Sequence, residues 1–222
     1  MKKCLVGLAM SCVCLSAFAD GYWSTNIQGG LSLNSLSNTE RVAESQYATS
    51  DSNSVGGLFG LGLAYNIPVN AWVMSMGLTG YYLPDVQVKG VKTPPAGLDP
   101  VNYTATGQSF GLLFEPKILW AEYAFQPYFI AGFGLGINDF GNYSETPQFN
   151  SETQTNLAYE FGLGVQYVLN QTPNSPIIAL DYRYMNWGDA GLAAASGQST
   201  NNGLSFGSLS SNTFNLSLIL PF

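Results

Sequence analysis

The residues of this chain that could do chemistry are few. Glu115 and Lys117 stand two apart, as do Asp181 and Arg183, with Glu160 between the two pairs. In an extended segment a spacing of two puts both members of each pair on one face. Five such charges facing one enclosed space would form an ion-paired network, with Lys117 and Arg183 surrounded by Glu115, Glu160 and Asp181, because a buried charge is costly unless paired. The network has two readings: a structural plug that keeps an interior filled and polar, or an ion path or gate whose pairs exchange partners.

Catalysis is a poor use for these groups. Histidine is absent from the sequence, so the usual general base beside a serine or aspartate is missing. Glu160 and Asp181 could pair as acid and base, but a neighbouring arginine would hold both ionised. The three cysteines, Cys4, Cys12 and Cys14, lie at the extreme N-terminus, which leaves no His or Cys for a metal elsewhere. Gly132-Phe-Gly-Leu-Gly136 is not a phosphate loop, because alternation of period two runs through it. The expectation is no enzyme, no cofactor and no metal.

The elements that hold these charges are strands. Large apolar side chains occupy every second position in Trp23–Leu33, Val55–Tyr65, Trp72–Tyr82, Phe110–Ile118, Pro127–Ile137, Leu157–Tyr167, Ile178–Tyr184 and Phe214–Phe222. Glycine, serine, asparagine and the five charges fill the alternate face. Four long connections, near 34–53, 84–105, 139–153 and 188–211, alternate with three short ones. This pattern predicts an all-β, eight-stranded antiparallel up-and-down transmembrane β-barrel with both termini on the short-turn side. Only 9% of residues are charged and 14% are aromatic, against about 25% charged in soluble domains. A soluble barrel would put the large apolar face inside and leave a nearly uncharged glycine- and serine-rich exterior. A membrane barrel reverses the faces, and inward glycines then relieve crowding in a lumen that eight strands leave only wide enough for side chains.

Aromatics mark both edges of the expected lipid band. Trp23, Tyr65, Trp72, Trp120, Tyr167 and Phe222 fall near the short-turn side, and Tyr82, Phe110, Tyr159, Tyr184 and Trp187 near the other; Trp and Tyr suit membrane interfaces. Residues 1–19 read as a signal peptide, with Lys2 and Lys3, an apolar run to Phe18 and Ala17-Phe18-Ala19 as the cleavage site. A lipoprotein reading through Cys12 or Cys14 is the alternative. Cleavage before Asp20 would leave one barrel domain, 20–222, with five basic against 14 acidic residues and a net charge of −9, which argues against nucleic acid.

Gln126-Pro-Tyr-Phe-Ile-Ala-Gly-Phe-Gly-Leu-Gly136, Tyr159-Glu-Phe-Gly-Leu-Gly-Val-Gln-Tyr167, Leu180-Asp-Tyr-Arg-Tyr184 and the terminal Phe222, in this order, resemble the small eight-stranded outer-membrane barrels of the opacity-protein-like surface antigens, which share the outer-membrane protein A barrel. The resemblance implies a location in the Gram-negative outer membrane and carries no catalytic residues. The expected function is a non-enzymatic surface protein with a structural or interaction role, adhesin- or antigen-like. It would contact outer-membrane lipid through its wall and host-surface or extracellular ligands through its loops, as a monomer. Tyr47, Tyr103, Tyr143 and Phe149 are candidate contact residues, or are packed within their own loops. The alternative is a narrow channel for ions or small hydrophobic molecules. Pro116 and Pro127, which cannot donate to a ladder, would mark either a weak seam in its wall or strand ends.

Overall fold

The computed structural model describes residues 21–37, 46–51, 53–93, 99–144, 149–170, 174–194 and 203–222. The expected signal peptide lies outside the described residues. The strands are β1 (Tyr22–Leu36), β2 (Gln46–Asp51), β3 (Asn53–Val69), β4 (Trp72–Thr93), β5 (Val101–Trp120), β6 (Phe125–Gly141), β7 (Glu152–Val168), β8 (Ile177–Leu192) and β9 (Leu204–Pro221). Every pairing is antiparallel. Eight strands form a ring in the order β1, β3, β4, β5, β6, β7, β8, β9, which returns to β1. The closing pair runs from Ser24 opposite Pro221 to Leu36 opposite Leu209. The all-β eight-stranded barrel is therefore what the alternation anticipates.

The faces sort by parity. Ile27, Leu31, Phe59, Leu61, Leu216 and Leu218 are among the large apolar side chains on the outside, Leu31 with 66% of its surface exposed. Such a band would be a liability in water and is what a bilayer requires. The lumen is filled in three layers. An apolar layer at the short-turn end contains Val73, Leu119, Ile130, Ile177 and Ile219. The charged residues come next. A second apolar layer, with Leu58, Leu83, Leu113, Met185 and Trp187, continues into the far end of the strands.

That far end differs from the expectation in extent. The segments expected as long loops are partly strand. β4 continues to Thr93 and β5 starts at Val101, so the two stay paired as far as Lys92 opposite Val101. β8 and β9 likewise run to Leu192 opposite Leu204. β2 lies inside the expected first loop and pairs with Lys89–Thr93 of β4. The prolines mislead here. Pro84 sits at a register shift between Leu83 and Val86, where Asp85 takes φ 54°, and a bulge accommodates a residue that cannot donate to the ladder. Alternation then resumes, with Val86 and Val88 buried.

A second correction concerns Trp187. It is 1% exposed, not part of an outer girdle. It shares the parity of Arg183 and Met185, both buried, and so points into the lumen, where its Nε1 donates to Ser211 Oγ at 2.8 Å.

Candidate functional site

Arg183 of β8 is the hub of the charged layer. Its Nε and Nη2 grip the two oxygens of Asp181 at 2.7 and 3.0 Å. Nη1 lies 3.5 Å from Glu160 of β7 and 3.6 Å from Glu115 of β5. The same nitrogen donates to Tyr81 Oη, which in turn donates to Glu115. Nη2 also donates to Gln28 of β1 at 3.1 Å. Further donors complete the acids: Thr79 to Glu115 at 2.8 Å, Tyr128 of β6 to Asp181 at 2.7 Å, and Asn215 of β9 to Asp181 at 2.8 Å. One arginine thus ties β1, β4, β5, β6, β7, β8 and β9 across the lumen.

Four of the five expected residues meet there. Lys117 does not join the arginine's acids in an ion pair. Its Nζ donates to Gln166 Oε1 at 3.4 Å and lies 5.1 Å from the centroid of the Tyr128 ring. Two residues nearer the short-turn end than Glu115, about 7 Å along the strand, it meets an amide and a ring face, the latter a favourable seat for a cation. Tyr81, Tyr128, Gln28 and Asn215 complete the network, and their signal in the sequence is their parity with the charged residues.

The crowding expected of an eight-stranded lumen is real. A Cβ on Gly132 would fall 2.8 Å from Glu160 Cγ, and one on Gly164 would fall 2.4 Å from the Tyr128 ring. The space left beside Lys117 and Arg183 amounts to about 30 Å³, room for one or two waters and no more. The acids accept from fixed donors, so the layer offers a cross-brace more than a reactive centre.

The short-turn rim is aromatic. Trp23 and Tyr65 have ring centroids 5.1 Å apart, Trp72 stacks on Trp120 at 6.1 Å, and Tyr167 meets Phe125 at 4.7 Å. The Phe222 amide donates to the Trp23 carbonyl at 2.9 Å, which ties the last residue to the first strand. Near the opposite edge, Tyr82 stacks on Phe110 at 4.8 Å.

Beyond that edge the strand extensions form a cap. One arm is the β4–β5 pair above the last β5–β6 contact, Thr106 opposite Gly141. The other is the β8–β9 pair above Leu209, joined to the chain before β7 by mutual bonds of 3.1 and 3.0 Å between Asn150 and Ala193. Val86, Val88, Tyr103, Tyr143, Phe149, Phe206 and Leu192 are buried in one apolar cluster with Trp187. Tyr143 packs on Tyr103 at 5.4 Å and on Phe149 at 5.0 Å. Of the candidate contact aromatics, these three are core; the side chain of Tyr47 lies outside the described residues.

The model of the outer membrane protein β-barrel domain matches residues 5–222. Among solved structures, Neisserial surface protein A is 14% identical, with 89% of this chain and 97% of that one covered and a TM-score of 0.50. OprG from Pseudomonas aeruginosa is 16% identical, with 90% and 95% covered and a TM-score of 0.51. Identities this low speak for the fold alone. No curated protein sequence matches the chain. The family match spans nearly the whole sequence and agrees with the closed ring and the apolar exterior: the chain belongs to the outer membrane protein β-barrel domain family, and its place is the bacterial outer membrane.

Proposed function

We propose that this chain is a surface-interaction protein, adhesin- or antigen-like, whose barrel anchors a folded extracellular cap. The observation that carries the reading is the apolar core of the cap, continuous with the upper lumen layer, in which Tyr103, Tyr143, Phe149 and Phe206 are buried beyond the aromatic edge. Short turns and termini face the periplasm in barrels of this architecture, so the arms face outward. Ordered surface structure on a rigid scaffold is where binding residues concentrate. Glu115, Glu160, Asp181 and Arg183 then serve as a brace, with Lys117 seated beside them on Gln166 and the Tyr128 ring, and the girdle residues Trp23, Tyr65, Trp72, Trp120, Tyr167 and Phe222 hold the barrel at depth.

The test compares the refolded protein with a variant whose β4–β5 arm is shortened by removal of 87–104. Both should retain the gel shift between unboiled and boiled samples. The variant should lose binding to host cells or matrix that the intact protein shows; equal binding by the two would refute the reading.

A second reading, a route for small hydrophobic molecules, has one observation in its favour. The β5–β6 ladder lapses between Phe114 opposite Phe133 and Lys117 opposite Ile130, where Pro116 has no N–H to give. Met76 remains opposite Pro116 on the other side. Planar-bilayer recording and uptake of a small hydrophobic solute into vesicles distinguish the two. Uptake that Pro116→Thr abolishes would favour the seam.

A further inference from the structure

A cavity of about 520 Å³ opens at the foot of the cap, where the β4–β5 arm leaves the wall. Its lining includes Asp85, Gln108, Asp139, Asn142, Asn150 and Ser151. The volume lies in the range of small-molecule sites, about 300–1,000 Å³. Gln108 and Asp139 stand on the outer face, one step beyond the lipid-facing Phe110 and Ile137. The pocket therefore sits at the headgroup side of the lipid band.

Its polar groups are held in place. Tyr82 Oη donates to Gln108 Oε1 at 3.0 Å, and Gln108 Nε2 donates to Asp139 Oδ2 at 3.3 Å. Thr153 Oγ1 donates to Asp139 Oδ1 at 3.1 Å. Each carboxylate oxygen has two lone pairs, so Asp139 is oriented by two bonds and keeps capacity for more. Asn142 Nδ2 donates to Thr106 Oγ1 at 3.3 Å, and Asn150 Nδ2 donates to the Ala194 carbonyl at 2.8 Å. Pre-oriented side chains reduce the ordering cost of binding.

The chemistry of the lining selects the ligand. No basic side chain lines the cavity among the described residues, and two carboxylates oppose a phosphate, sulfate or carboxylate. Its surface is mainly polar, which disfavours a hydrophobic guest. No group of three acids, His or Cys that could hold a metal ion is present among the described residues. Carboxylate and amide acceptors with hydroxyl donors suit a compound that offers several hydroxyls at fixed spacing. We propose that this rim pocket binds a sugar without anionic groups. The inference rests on the surface-interaction reading of the cap and names a ligand class for it. The sugar's source is either the uncharged outer-core hexoses of the surrounding lipopolysaccharide or a neutral glycan outside the cell, and both present the same hydroxyl chemistry; the carboxylates and phosphates of the inner core oppose the two aspartates.

The test uses the refolded full chain in detergent micelles, titrated with lactose, chitobiose, a sulfated heparin disaccharide and an uncharged outer-core hexose oligosaccharide. At least one of the three unsulfated probes should bind, the sulfated one should not, and Asp85→Asn with Asp139→Asn should weaken binding at least tenfold while the gel shift persists. Binding of the outer-core hexose oligosaccharide alone identifies the membrane's own glycan; binding of lactose or chitobiose identifies an external one. Preference for the sulfated probe, binding to none, or binding indifferent to both substitutions would overturn the proposal. A protein that binds cells through its β4–β5 arm yet ignores every sugar would refute the pocket and leave the surface reading standing.

Discussion

Replacing Arg183 by methionine is the most direct perturbation of the lumen. The substitution leaves Asp181, Glu160 and Glu115 without the cation that lies 2.7, 3.5 and 3.6 Å from them. Removing one partner of a buried pair costs about 3–5 kcal/mol, or roughly two to four decades in the folding constant. With a denaturant slope near 2 kcal/mol per molar urea, within the usual range for small proteins, the midpoint should fall by about 2 M. The assay is urea titration of protein refolded into lipid vesicles, followed by tryptophan fluorescence. Adding Glu115→Gln, Glu160→Gln and Asp181→Asn to Arg183→Met should recover most of the loss, because replacing a whole buried ionic group is often neutral. Neither variant should conduct, since apolar layers close the lumen above and below. A single variant as stable as the parent that passes current in planar bilayers would refute the brace and make the charges a gate.

Two further substitutions test the layers around it. Leu216→Arg places a charge on the outer wall, where Leu216 is 56% exposed; near the bilayer midplane this should cost about 2–4 kcal/mol in vesicles, and a negligible cost in the same titration would place that face away from lipid. Trp187→Ala empties a fully buried site and frees Ser211 of its donor; it should cost about 3–5 kcal/mol and reduce near-ultraviolet circular dichroism, whereas an unchanged midpoint would show that the upper apolar layer is not packed.

How much of this is legible in the sequence follows from what period two encodes. Parity assigns Glu115, Glu160, Asp181 and Arg183 to one interior, and the ring brings residues as far apart as Gln28 and Arg183 to 3.1 Å. Parity does not encode height. Lys117 has the right face but meets Gln166 and the Tyr128 ring. Nor does composition separate loop from strand where polar residues alternate with small apolar ones: Gln87-Val-Lys-Gly-Val91 reads as loop beside four prolines and is strand, because of the four only Pro84 falls inside β4 and a bulge absorbs it. The cap core is hard to read for a related reason. Tyr143 and Phe149 share one connection and pack on each other, but Tyr103 comes from another, and only the extended β4–β5 arm brings it to Tyr143.

The charged layer also answers a problem that apolar alternation leaves open. A strand with one large apolar face and one small face specifies two sides but not which of them is inside, and a slip of one residue reverses them all. Inward glycines and serines tolerate either environment; an arginine with three acids does not. On the outer face of a membrane barrel each of these charges would cost kcal/mol, while in the lumen they satisfy one another through Tyr81, Tyr128 and Asn215. Because the contacts of Arg183 reach β1, β4, β5 and β7 directly, a register error in any of these strands removes a partner from a buried charge. A network that carries no reaction therefore still specifies one structure: it penalises alternatives that the lipid-facing residues alone would accept.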